Sequence, residues 1–190
     1  SVYSKTKSPE PAAGIAIALG IFKDKDVEDE ILGRMLDYKN NDEAAGYHAV
    51  ALGLIGHGLA KEDINQLLEK SERRDKLLTQ CAIALGLLGD KEVGLKLVDR
   101  LKDDSNPVAV SSALSQALGF IGDRRSIDGL VTLLKNKQLK DIPRAFAAVA
   151  LGLIGDKEDL PWNSKIAVNI NYRANVETLT GNSTGVLDIL

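Results

Sequence analysis

The triplet Ala-Leu-Gly begins at Ala18, Ala51, Ala84, Ala117 and Ala150, and every step is 33 residues with no insertion. A fixed period of that length restricts a chain more than its composition does, because each unit can bury its apolar face only against its neighbours. Aligned on the triplet, the segments read "AAGIAIALGIFKD", "AGYHAVALGLIGH", "TQCAIALGLLGD", "SSALSQALGFIGD" and "AFAAVALGLIGD". A second apolar pattern follows in the first four units: Val27, Ile31, Leu32, Met35; Ile64, Leu67, Leu68; Val93, Leu97, Val98, Leu101; Ile127, Leu130, Val131, Leu134. Steps of three and four mark an amphipathic helix. Each unit is therefore predicted to be a helix pair, and the fold class all-α.

The phrase itself punctuates the pair. Its Ala and first Gly stand in the last turns of the first helix, where a small side chain lets the second helix or a neighbouring repeat approach closely. An interior Gly costs about 1 kcal/mol against Ala, so packing must offset it. The later Gly56, Gly89, Gly122 and Gly155 stand just past the helix end, where the backbone turns left-handed and glycine alone enters without strain. Asp90, Asp123 and Asp156 follow as caps for the amides that open the second helix. Phosphate-binding loops are excluded, since these glycines follow helices rather than strands and no Gly-Lys-Ser/Thr is present.

Three units depart from the pattern. Lys23 replaces the terminating Gly in the first, which predicts a strained turn. His57 replaces the capping Asp in the second and is expected in a surface turn. The fifth opens its second helix with "DKEDLPW", which Pro161 stops. Beyond it "KIAVNINY" at 165–172 alternates with the period of a strand. Residues 161–190 are accordingly read as a non-helical, partly extended tail that caps the last repeat.

"AVALGLIGD" followed by helices of the "RRSIDGLVTLLKN" type resembles the short HEAT-like repeats of phycobilin lyase subunits and bacterial scaffold proteins. That resemblance implies a right-handed α-solenoid of about five 33-residue helix pairs with the second helices lining its concave face. The expected organisation is an N-terminal polar segment at 1–11, the HEAT-like repeats at 12–160 and the tail at 161–190. Ankyrin and tetratricopeptide units of similar period would need turn and aromatic patterns that this chain lacks.

Candidate chemistry is sparse. Net charge is -3, against the basic balance usual for nucleic-acid binding. The longest apolar runs, such as Ala44 to Leu59, are broken by Gly and His and are too short to span a bilayer. A single cysteine, Cys81, excludes an intramolecular disulfide. His48 shares its repeat position with Ile15, Cys81, Leu114 and Ala147, which makes it part of an apolar helix face. No carboxylate or helix N-terminus is placed to activate the Cys81 thiol beside it. "DKDVEDE" at 24–30 opens a helix and lacks the Gly and spacing of a calcium loop. No catalytic residue, cofactor or metal is expected.

Charge distribution says more than charge total. Residues 23–43 hold four basic and eight acidic side chains, and residues 124–144 hold six basic and two acidic, so the ends carry -4 and +4. A surface polarised in this way orients a partner of opposite polarity or stacks molecules head to tail. The expected binding residues are Asp26, Glu28, Asp29 and Glu30 at one end, with Arg124, Arg125, Lys135 and Lys137 at the other. Trp162, Tyr38 and Tyr172 are the aromatic anchors expected at the surface. The function expected is a non-catalytic protein–protein interaction scaffold. Its alternatives are a chromophore-handling or lyase-type HEAT-like protein, and weak nucleic-acid binding through the basic fourth repeat. Lastly, the helix from Ala12 to Phe22 is apolar on every face, only "SVYSKTKSPEP" precedes it, and the chain begins with Ser. The expectation is a C-terminal part of a longer protein, or a first helix covered by a second copy or a partner.

Overall fold

The computed structural model describes residues 2–71, 73–90 and 92–155, and all regular structure among them is helical. The helices are α1 (Val2–Lys5), α2 (Pro9–Phe22), α3 (Glu28–Asp37), α4 (Asp42–Ile55), α5 (Lys61–Glu69), α6 (Asp75–Leu87), α7 (Val93–Leu101), α8 (Val108–Ile121), α9 (Ser126–Lys135) and α10 (Asp141–Gly155). Single 3₁₀ turns at Lys25–Val27 and Gly58–Ala60 lead into α3 and α5. The pairs α2/α3, α4/α5, α6/α7 and α8/α9 match the first four sequence units, and α10 is the first helix of the fifth. The fifth unit's second helix, the strand at 165–172 and the tail lie outside the described residues.

First helices pack in chain order, α2 on α4, α4 on α6 and α6 on α8, while α3, α5 and α7 pack on the first helix of the following unit. The Ala-Leu-Gly triplet makes the first of these contacts. A Cβ built at Gly20 would stand 3.0 Å from the Ala51 backbone, one at Gly53 3.0 Å from the Ala84 carbonyl, and one at Gly86 2.8 Å from Ile121 Cγ1. At Gly119 it would come within 2.5 Å of Leu153 Cβ. The small residue thus admits the next first helix. Ala51, Ala84, Ala117 and Ala150 are completely buried by this arrangement, and so are Leu52, Leu85 and Leu118 beside them. Each such Leu contributes about 1.5–3 kcal/mol of burial. From the second helices come Ile31, Met35, Ile64, Leu97, Leu101 and Leu130, at 0–1% exposure, which lock each pair to the ladder.

The turns follow the glycines with one substitution. Gly56, Gly89 and Gly122 are left-handed at φ 87, 69 and 64°, whereas Gly155 is the last described residue of α10 and helical. Lys23 is left-handed too, at φ 54°. The reason is a hydrogen bond that every such turn must close: the amides of Asp24, His57 and Asp90 fold back onto the carbonyls of Leu19, Leu52 and Leu85 at 3.1, 3.0 and 2.9 Å. Lys23 adopts the glycine conformation because the repeat demands it, at a steric cost of about 1–2 kcal/mol. The aspartates cap the turn that leads into the helix, and Asp90 also accepts from the Val93 amide that opens α7. Asp24, Asp90 and Asp123 accept from the amides of Asp26, Glu92 and Arg125 at 3.1, 2.9 and 2.9 Å. α7 and α9 begin one residue further on.

Gly89 has open space where a Cβ would go, so strain there is purely a matter of backbone. Gly89→Val should therefore lower the thermal midpoint by the equivalent of more than about 1 kcal/mol, and Lys23→Gly should raise it by about 1 kcal/mol. Calorimetry of both variants checks the pair; an unchanged midpoint in either shows that the turn relaxes freely.

Candidate interaction surface

Most described residues of the N-terminal segment are exposed, but Tyr3 enters a buried polar cluster. Tyr3 of α1 is 2% exposed and lies against His48 of α4, ring centroids 6.2 Å apart. The Arg34 guanidinium sits 4.3 Å over the Tyr3 ring. It also donates to the carbonyls of Thr6 and Tyr3 at 2.6 and 2.9 Å and to Glu30 at 3.0 Å. Tyr38, expected at the surface, turns inward instead: it packs edge-on to His48 at 5.4 Å while its hydroxyl donates to the Lys7 carbonyl at 3.3 Å. Arg34 ties α1 and Thr6 to α3 through the Tyr3 and Thr6 carbonyls, which a helix of four residues leaves available at its end. In α7 an arginine recurs at the same repeat position, Arg100, which reaches the Leu68 carbonyl at 3.5 Å, whereas α5 has Leu67 there.

His48 is fully buried and its Nδ1 donates to the Ala44 carbonyl at 2.6 Å, which leaves Nε2 without a hydrogen-bond partner. Burial holds its pKa below the ordinary 6.5, against the pull of the Ala44 carbonyl and with help from nearby Arg34. Cys81, one repeat on, is also fully buried, and burial pushes its thiol up to about 12. A thiol so protonated is a small apolar side chain at neutral pH.

The acidic end divides into committed and exposed carboxylates. His57 is 5% exposed, not in a surface turn, because its ring fills the space between α3 and the turn before α5. Its Nδ1 lies 3.2 Å from Glu28 and its Nε2 4.0 Å from Asp29. Glu30 is engaged by Arg34 and accepts from Ser4 at 2.9 Å. Asp26 and Asp29 remain at the surface. At the basic end Arg124, Arg125, Lys135 and Lys137 are all exposed. Arg125 pairs with Asp123 at 2.5 Å and with Glu92 at 3.6 Å, so part of its charge is used within the fold. Trp162 and Tyr172 lie outside the described residues. Among the described residues the exposed large aromatic side chains are Phe22, at 83%, and Tyr47, at 42%, in the first two units, and Phe120, at 50%, in the fourth.

Ion pairs across the repeat were not legible from composition. Lys76 meets Glu43 at 2.8 Å, Arg74 meets Asp42 at 2.6 Å and donates to the Lys39 carbonyl at 2.7 Å, and the Lys140 amide donates to Asp104 at 3.2 Å. Their separations of 32 to 36 residues are one repeat, the signal that finds them. An open groove of about 240 Å³ lies between α2 and α4, lined by Glu10, Ala13, Gly14, Ile17, Glu43, Ala44 and Tyr47. Among the described residues no cluster of three or more His, Cys, Asp and Glu is arranged to hold a metal, and no helix is long and apolar enough to cross a membrane. No protein-family model matches the chain, and a search of curated proteins finds no match.

The buried imidazole has a consequence for stability. Its folded pKa is depressed, so the unfolded chain binds the extra proton once the pH falls below about 6.5, and stability present above that value is lost on further acidification. Between about pH 7.5 and about 5.5 the thermal midpoint should fall more steeply for the parent than for His48→Leu, which restores the apolar residue type of Leu114. Parallel pH profiles for the two proteins would show that His48 takes up its proton in place.

Proposed function

We propose that this chain is a non-catalytic protein-interaction scaffold: an α-solenoid of HEAT-like helix pairs whose second helices present a charge-polarised surface. The observation that carries the reading is the division of labour within each unit. The same positions, the Ala and Leu of Ala-Leu-Gly in the second to fourth units and the apolar faces of α3, α5, α7 and α9, are spent inward. The remaining positions of the second helices and of the turns beside them differ from unit to unit, with Asp26 and Asp29 exposed in the first and Lys135 and Lys137 exposed in the fourth. A frame held by invariant contacts leaves its outer positions free to specify a partner. Charges of this kind govern the rate and selectivity of association more than its final affinity.

Lys135 and Lys137 are the cleanest probes, since both are fully at the surface and outside the core. The immobilised chain is incubated with cell extract beside the double variant Lys135→Glu/Lys137→Glu and a blank support. Proteins retained by the parent should be released at about 1 M salt, where the Debye length is about 3 Å, and the variant should retain several-fold less of the same species. Retention no greater than on the blank support, or equal on both proteins and indifferent to salt, would defeat the reading.

A further inference from the structure

The two ends of the first-helix ladder are complementary in their exposed rows. Within the ladder each first helix offers its successor a row of small residues, Ala13, Ala16 and Gly20 on α2, all buried by α4. The successor meets it with a row that on α4 is Ala44, His48, Ala51 and Ile55, at 0–5% exposure. α2 has this second row as well, in the form of Pro11, Ile15, Ala18 and Phe22, and among the described residues no first helix packs on it. Pro11 and Ala18 are exposed, Ile15 is half-buried, and Phe22 stands 83% exposed where Ile55 is 5% and Ile154 1%. Ala18 shares its repeat position with four alanines that are completely buried. At the other end, α10 carries the first row as Ala145, Ala148 and Gly152. All three are exposed, and a Cβ on Gly152 would meet nothing within 4 Å among the described residues. The earlier equivalents Gly53, Gly86 and Gly119 are each closed by a neighbouring helix.

We infer that α2 of one copy docks on α10 of a second copy, continuing the α2–α4–α6–α8 packing across a molecular boundary. Three features favour a second copy of this chain as the occupant. The interface is continuous with contacts the fold already makes three times between α2, α4, α6 and α8. Its two sides are the rows that meet inside the molecule, so Phe22 approaches Gly152 as Ile121 approaches Gly86. The ends also carry opposite charge, -4 over residues 23–43 and +4 over residues 124–144, which favours head-to-tail over head-to-head encounter. Such a contact is heterologous and does not close on itself, so it builds linear assemblies rather than a symmetric dimer. The inference stands first on the packing of the first helices; it shares its end charges with the surface proposed to bind partners, but the variants below leave those charged residues unchanged.

Sedimentation velocity of the full chain from about 1 µM to about 1 mM, the range of weak to moderate association, tests it with two variants, Ala18→Arg on α2 and Ala148→Arg on α10. The parent should form dimers and longer species as concentration rises, and each variant alone should stay monomeric with an unchanged thermal midpoint. Mixing the two variants should restore a dimer and nothing larger, because one intact α10 face then meets one intact α2 face. That complementation also shows both variants to be folded. A parent that remains monomeric throughout, as expected if another protein or another segment of the chain covers these faces, overturns the inference. Loss of assembly in Ala18→Arg alone overturns it equally, since that result means two α2 faces pair with each other.

Discussion

Close approach of successive first helices is the constraint on which the rest of this structure depends. At Gly20 and Gly53 the following helix comes so near that a methyl group would touch its backbone at 3.0 Å. Glycine inside a helix costs about 1 kcal/mol against alanine, and the four contacts recover that through dispersion over the whole length of each crossing. The completely buried alanines follow directly, for a larger residue at Ala51 or Ala84 would force the helices apart. So do the second helices, which can reach the following first helix only because the ladder is narrow.

Where the repeat departs from its own pattern, the fold holds the geometry and the residue bears the strain. Lys23 takes a left-handed backbone because the Asp24 amide must still reach the Leu19 carbonyl. His57 stands in the place of a capping aspartate and is buried against Glu28 instead. His48 occupies a slot that is apolar in every other unit, with one ring nitrogen bonded and the other left without a hydrogen-bond partner. All three departures fall in the first two units. Around His48 lie Tyr3, Arg34 and Tyr38, a polar cluster of which, among the described residues, only the Arg34 position recurs, as Arg100. The N-terminal residues 2–8 are held by Arg34 hydrogen bonds to their carbonyls rather than by a helix of useful length, since α1 has only four residues.

The ion pairs tell a similar story at lower stakes. Lys76 with Glu43 and Lys96 with Glu69 are well exposed, and solvent-screened pairs of that kind contribute little to stability. Arg74 is different in kind, because it joins a carboxylate and a main-chain carbonyl of the preceding unit at once. It fixes where one repeat ends relative to the next, which apolar packing alone does not.

The sequence by itself determined the all-helical class, the 33-residue unit, the helix pairs, the left-handed glycines at 89 and 122 and the apolar setting of His48. Each of these is a local rule repeated: a period of 3.6, a residue free to take positive φ, a small side chain at a fixed place. It also placed Lys135 and Lys137 at the surface, because no apolar period claims them. Tertiary structure alone decided which neighbour the first glycine admits, since a small residue permits a close approach without choosing between the second helix and the next repeat. It decided that His57 and Tyr38 turn inward, which depends on carboxylates and carbonyls 28 to 31 residues away. And it decided that the row at Pro11, Ala18 and Phe22 is bare while the same row in later units is sealed. The residues are equally apolar in both settings, and burial belongs to the helix that packs against them.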